Sequence, residues 1–221
     1  MIGKKIRFGQ PPYSFQVHID DEQAVEQLTR SLTSQLKEVP AHRDIVIVCI
    51  GTDRSTGDSL GPLAGTLLSK KRRQRLHVYG TLADPVHALN LESVLEQIAV
   101  THDSPFIIAV DACLGRMKNV GKINVAEGPV HPGSAMKKKL PAVGDMHITA
   151  IVNVSGMMEY FVLQNTRLHT VMSMAEHIAE SLRKTDLRLR DRTVEPAPAP
   201  TKTTKSFFPS PSLEVQPIRK S

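Results

Sequence analysis

The sequence predicts an α/β fold built on a mainly parallel, layered sheet, and three observations carry this. Ile45-Val46-Ile47-Val48-Cys49-Ile50 and Phe106-Ile107-Ile108-Ala109-Val110-Asp111-Ala112 are continuous or near-continuous apolar runs, as in strands buried on both faces. Segments with apolar residues at helical spacing separate such runs, so strands and helices alternate. The chain has 221 residues, enough for one large domain with its own core.

Taken in order, Asp20 and Asp21 precede a stretch whose apolar positions Val25, Leu28, Leu32 and Leu36 predict a helix over about 21–38. Ile45 to Ile50 is the first buried strand, ended by Gly51, and Leu60 to Leu68 the helix after it. Leu76-His77-Val78-Tyr79-Gly80 is a short strand, and Asn90 to Val100 a helix with Asn90 at its cap. Phe106 to Ala112 is the second buried strand, and Lys122 to Val125 an edge strand. Ile148 to Leu163, which Gly156 can break, and Leu168 to Leu182 carry apolar residues three and four apart and are expected to be helical. Residues 187–221 include Glu195-Pro196-Ala197-Pro198-Ala199-Pro200 and are expected to be a disordered, Pro-rich basic tail. Residues 1–20 are expected to be a flexible segment, leaving one domain over 21–186.

Composition narrows the function classes. Hydrophobic residues are 40% and charged residues 23% of the chain, and the net charge is +6. The tail from Leu187 onward carries +4 of this and the body +2, and with 4% aromatics and no Trp the body lacks base-stacking platforms. A nucleic-acid partner is not expected for the body. No apolar run reaches the roughly 18 residues of a membrane span, and the polar Gln10-Pro11-Pro12-Tyr13-Ser14 stands where a signal peptide needs its apolar core, so a cytoplasmic protein is expected. The two cysteines, Cys49 and Cys113, lie in apolar runs and read as buried free thiols.

Ligands of open α/β sheets bind beyond the carboxyl ends of the strands. The loop after the first buried strand reads Gly51-Thr52-Asp53-Arg54-Ser55-Thr56-Gly57-Asp58-Ser59-Leu60-Gly61-Pro62, and the second buried strand ends in Val110-Asp111-Ala112. Asp58 alone reads equally well as a helix cap, and Asp111 as a strand-end residue bonding loop amides. Adjacent parallel strands lie only ~5 Å apart, however, and would bring both acids into one crevice. There the pair could share a proton and activate water, or hold a metal together with nitrogen ligands. Gly51, Asp53, Asp84 and His87 are candidates to line the same crevice; Asp84 also reads as a turn former before Pro85. His147 follows Gly144-Asp145-Met146 at the expected entry to a helix, while His131 and His169 have weaker claims. No Gly-Lys-Ser/Thr follows the glycine loop and no Gly-x-Ser-x-Gly elbow occurs, which argues against nucleotide hydrolysis and a serine nucleophile. Lys137-Lys138-Lys139 reads as a solvated loop able to steer an acidic partner.

The segment Ile47 to Pro62, with Gly80-Thr81-Leu82-Ala83-Asp84-Pro85-Val86-His87-Ala88-Leu89-Asn90, Gly144-Asp145-Met146-His147-Ile148-Thr149 and Val154-Ser155-Gly156-Met157-Met158-Glu159, resembles the YyaC-type sporulation proteins over about 44–184. That family is related by fold to the spore germination protease and the hydrogenase-maturation endopeptidases. The resemblance implies a three-layer αβα sandwich, with Asp58 and Asp111 in the places of the germination protease's two aspartates. By the hydrogenase-maturation pattern, where two acids and a histidine bind nickel, it implies His147 as a third ligand if a divalent metal is used, although Asp58 replaces the glutamate usual there. It further implies an endopeptidase acting on a small spore protein during sporulation or germination. The alternative is a sporulation binding or assembly protein that keeps the fold without proteolysis.

Overall fold

The computed structural model describes residues 12–133 and 140–193. Its elements are β1 (Ser14–His18), α1 (Ala24–Leu36), β2 (Ile45–Cys49), α2 (Leu60–Ser69), β3 (Leu76–Tyr79), α3 (Leu91–Thr101), β4 (Phe106–Gly115), a short 3₁₀ turn at Met117–Asn119, β5 (Lys122–Glu127), β6 (Met146–Val154), α4 (Glu159–Gln164) and α5 (Leu168–Thr193). The six strands form one sheet in the order β1-β5-β6-β4-β2-β3. β6, β4, β2 and β3 pair in parallel, while β5 runs antiparallel to both β6 and β1.

β2 is buried along its whole length because both faces of the sheet are covered there. Ile45, Ile47 and Cys49 point into the larger core with Leu28 and Leu32 of α1, Leu60 and Leu68 of α2 and Val171 and Ile178 of α5. Val46, Val48 and Ile50 point the other way, against Leu91 and Ile98 of α3. Helices therefore cover both sheet faces, giving the three-layer α/β sandwich expected.

Four sequence expectations are corrected. Ile148 to Val154 is strand, not helix: Met146, Ile148, Ala150 and Val152 are buried while the residues between them are only part-buried, a period of two. Ile151 on the opposite face is also apolar, and it supplies the three- and four-residue spacings that imitate a helix. β5 is not an edge strand, because β1 covers it with Ser14 to His18 paired against Ala126 to Lys122. β1 thus lies inside the segment expected to be flexible through residue 20. Finally, α5 runs to Thr193, past the expected start of the tail at 187. Leu189 is buried in the larger core, and Asp186 is buried with its carboxylate accepting the backbone N–H groups of Gln74 (2.8 Å) and Arg75 (3.0 Å) just before β3. The Pro-rich part of the tail and Lys137 to Lys139 lie outside the described residues.

Asp186 thereby ties the last helix to the start of a parallel strand. Asp186→Ala would leave two amides without their acceptor, and a loss of about 2–4 kcal/mol in chemical denaturation is expected. A loss below about 0.5 kcal/mol would show the tie to be dispensable.

Candidate active site

β2 and β4 are neighbours in the sheet, with Cys49 opposite Val110, so the loop after β2 and the second half of β4 share the carboxyl end of the sheet. The loop turns sharply at Gly51, whose φ of +148° suits glycine. The Gly51 N–H donates to the Val86 carbonyl (2.8 Å) and the Thr52 N–H to the Asp58 carbonyl (3.2 Å), folding the loop back upon itself. The loop's far end is tied to α4 through the Gly57 N–H, which donates to the Leu163 carbonyl at 2.8 Å. Asp58 stands at the end of this closed loop. It does not cap α2: Ser59 occupies the cap position and its hydroxyl donates to the Thr56 carbonyl (2.7 Å).

Asp58 and Asp111 line one cavity of about 180 Å³ together with Gly51, Thr52, His87 and Cys113. Asp111 is part-buried in β4 and opens onto this cavity. Burial, and then the charge of Asp58, push its carboxyl from 3.8 up to about 8, against a smaller opposing contribution from the Ala112 amide. Burial also raises Asp58; the Ser55 hydroxyl beside it favours the ionised form and moderates the rise. At neutral pH the arrangement holds a proton on Asp111 beside a more ionisable Asp58.

The other candidate residues divide. His87 lines the cavity, and its Nδ1 accepts the Leu89 N–H (3.2 Å), which puts the proton of the neutral ring on Nε2. Asn90 holds this loop from below, its side chain accepting the His87 N–H (2.8 Å) and donating to the Pro85 carbonyl (3.0 Å). Asn90 stands at the N-cap position of α3 as expected, but its side chain makes no capping bond to the helix. Asp53 is exposed and lines a separate, shallower depression that shares His87. Asp84 is exposed and closes a turn, its N–H on the Thr81 hydroxyl and its carbonyl accepting the Thr81 N–H, and it does not line the cavity. His131 and His169 are both exposed.

His147 lies within β6, level with Ala109 and two residues short of the Asp111 position, rather than at a helix entry. Its Nδ1 donates to the Gly128 carbonyl at 2.9 Å, and it does not line the cavity. Among the described residues Asp58, Asp111 and His147 do not form a convergent ligand group. Among the described residues a different trio converges, Asp44, His77 and His102, at the other end of the strands.

Glu159, Leu163 and Cys113 are among the lining residues absent from the sequence-based candidates. Glu159 brings a third carboxylate, presented by α4 directly after Met158, whose φ is +59°. Leu163 supplies an apolar wall. Cys113, expected to be buried, instead faces the cavity, its thiol pushed up to about 11 by burial and then by Asp111; Cys49 is buried in the core and lies higher, at about 12. Neither thiol is a nucleophile at neutral pH. The β4 alternation places Cys113 two residues from Asp111 on the same face, a signal available in the sequence.

Residues 16–181 match the family model described as "Protein of unknown function (DUF1256)". The chain belongs to the DUF1256 family. The match runs from within β1 into α5 and contains every cavity residue named above, so the candidate site lies in the part of the chain shared by the DUF1256 proteins. The chain is 57% identical over 166 residues to "Uncharacterized protein YyaC" of Bacillus subtilis (strain 168), covering 75% of this chain and 80% of that relative. It is also similar in structure to the [NiFe] hydrogenase maturation protease HycI from Thermococcus kodakarensis KOD1, with a TM-score of 0.47 and 18% identity over 68% of this chain and 97% of that one. No helix among the described residues of this DUF1256 chain is long and apolar enough to cross a membrane.

Proposed function

We propose that the chain is an endopeptidase that hydrolyses peptide bonds with Asp58 and Asp111 as a paired-carboxylate site. The observation that carries this reading is two carboxyl groups in one cavity, the deeper of them holding a proton at neutral pH through burial and its neighbour's charge. In the proposed reaction Asp58, ionised, takes a proton from water as the water oxygen bonds to the peptide carbonyl carbon. Asp111 gives its proton to the carbonyl oxygen. The tetrahedral intermediate then breaks its C–N bond as the proton held by Asp58 passes to the leaving nitrogen and one of its two hydroxyls returns a proton to Asp111, which restores the starting state of the pair. His87, at the cavity wall, is placed to contact the bound chain. Because His147 does not line the cavity with the pair, the reading uses no metal there.

The substrate proposed from the sporulation-family resemblance is a small spore protein without stable folded structure, able to enter a surface cavity in extended form. The test is cleavage of a purified small acid-soluble spore protein by the full chain, with and without chelator. Asp58→Asn and Asp111→Asn are each expected to lower the rate by about 100-fold to 10,000-fold, and chelator to leave it unchanged. The rate should fall as pH rises through about 8, where Asp111 loses its proton. Equal cleavage by the wild type and both variants overturns the acid pair. Absence of cleavage by the wild type overturns the peptidase reading in favour of a binding or assembly protein.

A further inference from the structure

At the amino-terminal ends of β2 and β3, opposite the acid pair, three residues from separate elements converge. Asp44 immediately precedes β2, His77 lies in β3, and His102 follows α3. His102 Nδ1 stands 2.8 Å from one Asp44 carboxylate oxygen and His77 Nε2 stands 3.5 Å from the other. One ligating atom from each residue lies within 4.8 Å of the other two. Ligands about 2.0–2.1 Å from a tetrahedral cation are separated from one another by about 3.4 Å. The two acid-to-imidazole separations bracket that value, so small side-chain movements would close the set on one ion.

Two further features suit a cation rather than a plain hydrogen-bonded tie. The Tyr79 hydroxyl lies 3.0 Å from His102 Nε2, so it can accept an Nε2–H once a cation takes the place of the Nδ1 proton that Asp44 accepts in the metal-free chain, the kind of support a metal-bound histidine uses. The site also has an entry: His102 is only 6% exposed, but the side chains of Asp44 and His77 are 45% and 43% exposed. Solvent therefore reaches the face on which a fourth ligand would stand.

We infer that Asp44, His77 and His102 bind one divalent transition cation of the Zn²⁺ class, with Tyr79 orienting His102 and an exchangeable fourth position open to solvent. Two imidazoles and one carboxylate favour such an ion over Mg²⁺ or Ca²⁺, which prefer all-oxygen sites. The site is distinct from the acid pair, and its existence does not depend on the peptidase reading.

The full chain, freed of metal by chelator and dialysis, is titrated with Zn²⁺ by calorimetry and with Co²⁺ by visible absorption. One site per chain with the absorption of a four-coordinate Co²⁺ is expected, unchanged in an Asp58→Asn, Asp111→Asn double variant. His77→Ala, at a half-exposed position, is expected to remove the site, and Tyr79→Phe to weaken it roughly 10–100-fold. Zn²⁺ should also raise the Tm of the wild type but not of His77→Ala. Stoichiometric binding retained in His77→Ala, an equal Tm rise in both, or no site in the wild type at tens of micromolar Zn²⁺ overturns the assignment.

Discussion

Asp111→Asn is expected to make the protein more stable while removing its proposed activity. The Asp111 carboxyl is held at about 8 in the folded chain and returns to an ordinary value near 3.8 when burial and Asp58 are lost on unfolding. Below about pH 4 both states carry the proton and the group contributes no difference. Between pH 4 and 8 the folded state keeps a proton that the unfolded state has released, so stability falls as pH rises, and above 8 the full cost of a buried charge is present. Asparagine has the shape of the protonated acid and no charge to bury. A gain of about 2 kcal/mol at pH 8 is expected, or roughly 4–8 °C in Tm for a chain of this size. At pH 5 the gain should shrink sharply, since pH 5 lies only about one unit above the ordinary value and the unfolded state gains little by releasing its proton there. Thermal unfolding from pH 5 to 9 decides it: parallel Tm profiles for wild type and variant would show that Asp111 is not held protonated, and would remove the acid from the proposed mechanism. Such exchange of stability for function is common where a charge must be kept out of water for chemistry.

Gly51→Ala is expected to have the opposite sign and a comparable size. A Cβ at Gly51 would lie 1.9 Å from the Asp58 carbonyl oxygen and 2.9 Å from Pro62 Cδ, and the φ of +148° resists any side chain. The clashing oxygen is backbone that also accepts the Thr52 N–H, so the loop cannot give way without releasing its own closure. A loss of at least about 3 kcal/mol is expected, with a Tm lower by roughly 6–12 °C. In whatever fraction remains folded, a displacement of Asp58 by about 1 Å would cost about 100-fold in rate. Gly128→Ala is the control, because Gly128 also has a positive φ, +94°, but a methyl group added there would meet nothing within 4 Å. Equal losses at the two positions would mean that backbone strain alone sets the cost and that the approach to Asp58 carries no weight.

The acid pair is legible in the sequence because Asp111 ends one apolar run that reads as a buried strand and Asp58 lies in the loop that follows the other. A charged residue there has few structural explanations, and adjacency of two such strands is the common arrangement in a parallel sheet. The place of His147 is not legible, for a related reason. With Ile148 to Val154 read as helix, the histidine before it becomes a loop residue at a helix entry, whereas it lies within a strand with its Nδ1 on the Gly128 carbonyl. Glu159 and Leu163 join the cavity only because α4 folds back onto the Gly57 loop, a contact between segments about a hundred residues apart that leaves no local periodicity.

By itself the sequence determined the α/β class, the two central strands, the helices that cover them and the sheet end at which chemistry is expected, because burial on both faces and helical amphipathicity are local patterns written in a few consecutive residues. The tertiary structure decided which partners each side chain meets: Asp58 beside Asp111, Asn90 turning its side chain from the cap position of α3 onto the His87 loop, Asp186 receiving the amides before β3, and Asp44, His77 and His102 gathered at the far end of the sheet. These depend on strand order and on where loops close, and both are set by packing over the whole domain rather than by neighbouring residues.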